Sequence, residues 1–219
     1  MIVTKIQNFT NKRYQVWLDH KVAFVLYKGD LRHYKISEGA RLDEETYELI
    51  QREVLSKRAE KRALHLLEKR DYTAAGLKKK LLEGGYSEEN AELAIRQMQS
   101  YRYLDDERYA AQFINCYTER KTKRAIIAKL REKGIEKEVI EAAYEKFEAE
   151  GGTIDEETMA KNLLLKRGYH GEQLEKREMD RHAAYLLRKG FSSSDIYKAI
   201  SGLQKEYENG QLTDSQDSL

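Results

Sequence analysis

The chain has 219 residues, 40% hydrophobic and 36% charged, with no proline and a formal net charge of +2. Its charged fraction exceeds the roughly 25% of an average globular domain, yet it is too apolar to be disordered. The longest apolar run, Val22 to Tyr27, spans six residues against the roughly 20 that cross a bilayer, so no membrane segment is expected.

The N-terminal region reads as a small antiparallel sheet. Ile2 to Gln7, Tyr14 to Leu18, Val22 to Tyr27 and Leu31 to Ile36 are short and rich in valine, isoleucine and tyrosine, with Asp19-His20-Lys21 and Lys28-Gly29-Asp30 as turns. The opening MIVTKIQNF lacks the basic start, apolar stretch and small-residue cleavage site of an export signal, so the expected location is cytoplasmic. Asp43 is placed to cap a helix that begins EETYELI and leads through the charged SKRAEKR into a repeated pattern.

Three segments align without gaps: LLEGGYSEENAELAI from Leu81, LREKGIEKEVIEAAY from Leu130 and LLRKGFSSSDIYKAI from Leu186. In each, a glycine (Gly85, Gly134, Gly190) lies four residues after the leucine and is followed by a large apolar residue, Tyr86, Ile135 or Phe191. A glycine there ends a helix in the left-handed conformation, and the next residue packs back over the last turn. Ser87, Glu136 or Ser192 then starts a third helix whose apolar stripe is Ala91, Ala94, Ile95 and Met98, or Ile140, Ala143, Tyr144 and Phe147, or Ile196, Ala199, Ile200 and Leu203.

The second helix of each unit precedes the glycine. It is marked by Leu77 and Leu81, by Ile126 and Leu130, and by Met179, Ala183, Leu186 and Leu187, with Thr73 and Thr122 as equivalent N-caps of the first two. A first helix is marked by Leu64 and Leu67, by Ala110, Phe113, Ile114 and Tyr117, and by Ala160, Leu163 and Leu164. The expected fold is mainly α: an elongated tandem array of three three-helix repeats preceded by a small antiparallel β segment. The divisions are a β-rich extension (1–42), a connecting helix (43–56), repeats at 57–104, 105–152 and 153–207, and a polar, flexible tail (208–219).

Charge follows the same period. Segments 51–82, 108–133 and 161–189 hold 10, 8 and 8 basic against 4, 2 and 4 acidic side chains, while 83–107, 134–160 and 190–219 hold 2 basic each against 7, 9 and 5 acidic. The near-neutral total therefore conceals basic faces. Signals for chemistry are poor. The five histidines (20, 33, 65, 170, 182) form no metal-binding pair, and no phosphate loop, dinucleotide fingerprint or nucleophile elbow is present. Asp105-Asp106-Glu107 suits the first turn of a helix better than acid–base work. Cys116, the only cysteine, excludes an internal disulfide and reads as a small buried apolar residue. The expectation is a protein that is not an enzyme and carries no cofactor or metal.

The string YLDDERYAAQF (Tyr103 to Phe113), followed by KRAIIAKLREKGI (Lys123 to Ile135), resembles the central signature of the RecX family of bacterial recombination regulators. LKKKLLEGGY before it and AAYLLRKGF after it match that family's repeated helix ending, so the resemblance covers roughly residues 57–205, and the β-rich extension resembles that of RecX proteins from Gram-positive bacteria. The resemblance implies a nine-helix modular molecule that lodges in the groove of the RecA filament on single-stranded DNA. It further implies inhibition of strand exchange, ATP hydrolysis and coprotease activity, in DNA repair and the SOS response. Two departures stand out: RKTKRAII where a Gly-Pro-rich lead to the middle repeat's second helix is common, and TAAGL where an acidic residue often precedes the leucine.

The residues expected to meet the partner are Lys78, Lys79 and Lys80 in the first repeat, and Lys121, Lys123, Arg124, Lys129 and Arg131 in the second. Arg181, Arg188 and Lys189 are the candidates in the third. All belong to second helices or their approaches, so stacking the repeats would gather them into one basic stripe that supplies steering and salt-sensitive affinity. Any one of these cations, taken alone, also fits pairing with the acidic segments. A monomer is expected, and weak direct DNA affinity is compatible with this reading. The alternative is a helix-turn-helix-like DNA-binding transcriptional regulator, since three short helices per unit also describe such modules; against it, no helix carries the Asn, Gln and Arg pattern that reads bases.

Overall fold

The computed structural model describes residues 1–210, and the described chain forms two compact units, Met1–Tyr109 and a second that begins at Ala110. The first opens with an antiparallel meander, β1 (Val3–Thr10), β2 (Arg13–Leu18) and β3 (Lys21–Tyr27), in the order β1-β2-β3. Asp19 and His20, both at positive φ, make the tight turn between β2 and β3. Val3, Val16, Leu18, Phe24 and Leu26 form one buried face, over which Ile36, Leu42, Ile50 and Leu55 close.

The fourth expected strand is absent from this sheet. Lys28–His33 is instead a short helix, α1, and the expected turn at Lys28-Gly29-Asp30 is its first turn. The cause is Asp30: its carboxylate accepts the Tyr27 N–H at 2.9 Å and both terminal nitrogens of Arg58 at 2.6 and 2.9 Å. The bond from Tyr27 caps a helix, with the Arg58 bonds holding the carboxylate in place, at the point where the alternating pattern of side chains suggested a strand. Leu31 and Tyr34, three apart, then pack on the sheet.

Asp43 accepts the Thr46 N–H and starts α2 (Glu44–Leu49), which runs through a π-helical stretch, Ile50–Ser56, into α3 (Lys57–Leu67). The helices α4 (Ala74–Glu83) and α5 (Glu88–Ser100) complete the unit. The buried face of α3 is Ala59, Ala63 and Leu66, rather than the face marked by Leu64, which is exposed; Leu67 is partly buried. Small alanines let α3 approach α5 closely, and their weak apolar signal hides that face in the sequence.

From α6 (Asp106–Tyr117) onward follow α7 (Lys123–Glu132), α8 (Lys137–Ala149), α9 (Glu156–Leu165), α10 (Lys176–Lys189) and α11 (Ser193–Glu208). The apolar stripes are buried as the periodicity predicts at Ala110 and Ile114, Ile126 and Leu130, Ile140, Ala143 and Tyr144, Ala160 and Leu164, and Ile196, Ala199 and Leu203. Two positions differ. Leu187 is exposed beside buried Leu186, since one residue turns a helix by about 100°, and Cys116 is exposed on α6 rather than buried.

The three glycine stops have φ of 85°, 79° and 100°. In each, the following residue donates its N–H to the carbonyl of the leucine four residues before the glycine: Tyr86 to Leu81, Ile135 to Leu130 and Phe191 to Leu186. A fourth stop of the same design, Gly168-Tyr169, ends α9. Of the expected tail, Glu208 is still helical, and 211–219 lie outside the described residues. Among the described residues no helix is long and apolar enough to cross a membrane.

Candidate partner-binding surface

The basic residues sit on scaffolds of matching design. Thr73 accepts the Gly76 N–H to cap α4, and Thr122 accepts the Ala125 N–H to cap α7. A second acceptor comes from the start of the helix two further along the chain in each case. Asp106 of α6 accepts the Ala74 N–H at 2.9 Å, and Glu156 of α9 accepts the Lys123 N–H at 2.7 Å. The sequence reading places Asp106 only in the first turn of its own helix and does not single out Glu156; the repeated acidic pair, Asp105-Asp106 and Asp155-Glu156, is the signal for the second role. Burial pushes the Glu156 carboxyl above the ordinary range, with Asp195 nearby adding to the rise.

On α4, Lys78 is paired with Glu92 at 2.8 Å and lies 3.9 Å from Glu88, and Lys80 is paired with Glu83 at 2.7 Å. Lys79 is exposed, with no carboxylate in ion-pair distance among the described residues. On α7, Lys129 repeats the Lys80 arrangement by pairing with Glu132 at 2.6 Å. Lys123 is paired with Glu148 at 2.6 Å and sits 4.7 Å from the centre of the Tyr144 ring.

The sides of α7 then diverge. Lys123, Ile127 and Arg131, spaced by four, line a cleft of about 370 Å³ against Glu141, Glu145 and Glu148 of α8. Lys121 and Ala125 line a different cavity of about 400 Å³. Its walls are Glu119 to Thr122 before α7; Met159, Asn162, Leu163 and Lys166 of α9 and its end; and Lys189 and Phe191 flanking the last stop. Thr122 fixes this junction: its hydroxyl donates to the Gly190 carbonyl at 3.3 Å. A Cβ on Gly190 would lie 2.7 Å from that hydroxyl oxygen, at a φ of 100° that disfavours side chains.

Of the eleven residues singled out, the structure therefore brings Lys121 together with Lys189, and Lys123 together with Arg131. Arg124, Arg181 and Arg188 are exposed outside both cavities. Arg120 and Lys166 join Lys121 and Lys189 around the larger cavity, and reading only second helices missed them. The run ERKTKR and the LKRGY ending of α9 were the available signals. Among the described residues, none of Arg120, Lys121, Lys166 and Lys189 has a carboxylate in ion-pair distance, and Glu119 is the one acidic side chain lining the cavity.

Comparison with known proteins places these features in a family context. Residues 59–98 match the profile described as RecX, first three-helix domain, and residues 105–143 match RecX, second three-helix domain. A regulatory protein RecX of Caldanaerobacter subterraneus subsp. tengcongensis is 28% identical over 92% of this chain and 99% of its own length. Another, from Trichlorobacter lovleyi, is 31% identical over 61% of this chain and 88% of its own. A crystal structure of a regulatory protein RecX superposes with a TM-score of 0.59 at 30% identity, covering 92% of this chain and 98% of that one.

Proposed function

Because the chain belongs to the RecX family of regulatory proteins, we propose that it binds the RecA filament on single-stranded DNA and restrains its strand exchange, ATP hydrolysis and coprotease activity. On this reading it works in the cytoplasm as a monomer, without a cofactor, in DNA repair and the SOS response, and its contribution is binding rather than chemistry.

The observation that supports it is the cavity between α7, α9 and the last glycine stop, where Arg120, Lys121, Lys166 and Lys189 converge without internal ion-pair partners. Most like charges on a folded surface are dispersed or paired, because clustering them costs Coulomb energy. Lys78, Lys80, Lys123 and Lys129 obey that rule. Four cations that do not obey it suit an external acidic surface, for which they would supply steering and salt-sensitive affinity.

The test is RecA-catalysed ATP hydrolysis on single-stranded DNA. Substoichiometric amounts of the protein are expected to slow it, less so as salt is raised. No effect at any ratio would remove the reading. Protection of a specific duplex without RecA would replace it with the transcriptional one.

A further inference from the structure

We propose that the cavity walled by the α7 approach, α9 and the Lys189-Gly190-Phe191 stop captures an acidic protein segment that inserts one apolar side chain. The inference rests on the reading of a protein partner given above and adds the chemistry of the segment taken.

The argument begins with α9. Met159, Asn162, Leu163 and Lys166 follow the i, i+3, i+4, i+7 spacing of one helical face, and all four line the cavity. Met159 and Leu163 pack against the local core yet remain partly exposed. With Ala125 they make an aliphatic floor, while Arg120, Lys121, Lys166 and Lys189 supply the rim. A floor of that kind takes a leucine- or methionine-sized side chain, and the rim takes carboxylates on either side of it. Glu119, on the same rim, would repel segments carrying acids on its side and so set the direction of insertion.

A single nucleic-acid strand fits less well. Such strands bind through aromatic faces on which bases stack. The nearby rings are already engaged: Lys121 lies 5.5 Å from the Tyr117 centroid, and Lys189 and Arg167 lie 5.7 and 4.3 Å from that of Tyr185. Phe191, the one aromatic residue of the lining, is buried.

The experiment uses the full chain and a short fluorescein-labelled peptide of glutamate and aspartate around one leucine, read by fluorescence anisotropy, with labelled oligo-dT as the competing ligand. Replacing Lys121→Gln together with Lys189→Gln is expected to weaken peptide binding about tenfold. Arg177→Gln with Lys198→Gln, two exposed cations outside the cavity, should leave it unchanged. Exchanging the peptide's leucine for serine should weaken binding by a similar factor. Peptide binding that ignores the Lys121 and Lys189 changes, or oligo-dT binding that alone depends on them, would overturn the inference. If the peptide fails to bind while the unaltered protein still slows RecA, only this inference falls. If the protein does not slow RecA, the reading beneath it falls.

Discussion

The second helices α4 and α7 share a scaffold and differ in their approach. Each has a threonine cap, two fully buried aliphatic side chains (Leu77 and Leu81, Ile126 and Leu130), a lysine–glutamate pair three residues apart and an acid supplied by the helix two further along the chain. Ahead of α4 the chain reads Tyr72-Thr73-Ala74-Ala75, and ahead of α7 it reads Lys121-Thr122-Lys123-Arg124. The difference teaches that charge at a helix start is independent of the interactions that build the helix. One copy presents a neutral start and the other a cationic one, on the same local geometry.

The largest expected effect tests the shared part. Leu130→Ala and Leu81→Ala, each removing a fully buried side chain, should each cost about 3 kcal/mol, read by urea denaturation. A loss below about 1 kcal/mol at either site would break the equivalence of the two helices.

The part that differs is tested by converting the second approach into the first. Lys121→Tyr with Lys123→Ala and Arg124→Ala should weaken RecA inhibition about tenfold and change stability by less than about 1 kcal/mol, since the Lys123–Glu148 pair is exposed. Full inhibition by this variant would show that the cationic start has no role.

Removing the caps gives a smaller effect. Thr73→Ala and Thr122→Ala should each destabilise by about 1 kcal/mol, and Thr122→Ala also removes the bond to Gly190. A melting temperature equal to that of the unaltered chain in either variant would argue against that cap.

The smallest effect is in pH dependence, and its sign differs between two acids. The carboxyl of Asp30 is held below its ordinary value: burial raises it, but the bonds from Arg58 and Tyr27 together outweigh that. Its contribution is present above the ordinary carboxylate range and is lost as pH falls through the depressed value. Glu156 is raised, chiefly by burial, so the folded chain binds the extra proton and stability declines as pH rises from the ordinary carboxylate value through the raised one. Glu156→Gln keeps an oxygen to accept the Lys123 N–H and should remove that decline. Melting temperatures of the variant and its parent that run parallel from pH about 4 to about 7 would overturn the assignment.

Local chemistry made much of the fold legible. Gly85, Gly134 and Gly190, the Thr73 and Thr122 caps and the i, i+3, i+4, i+7 stripes each depend on a few neighbouring residues, and the structure shows them as the sequence predicts. Features set by distant partners were harder to read. Asp30 makes Lys28–His33 a helix partly through Arg58, 28 residues away, and the close-packed alanines of α3 give little apolar signal against exposed Leu64. Charge counts showed which segments are basic, but not which lysines find glutamates. Lys78 and Lys80 do, whereas Lys121 and Lys189 meet because Thr122 docks on Gly190, a contact 68 residues apart in the chain.

The acids lent across helices have a bearing on how the molecule is made. Ala74 and Lys123 begin their helices with an N–H whose acceptor, Asp106 or Glu156, is translated 32 or 33 positions later. As the chain leaves the ribosome, each of these helix starts is made before the side chain that accepts its first N–H, so that bond closes only after the next helix and the start of the one beyond it have been synthesised. A nascent chain halted just after Glu83 or Glu132 would carry a frayed end until elongation resumed.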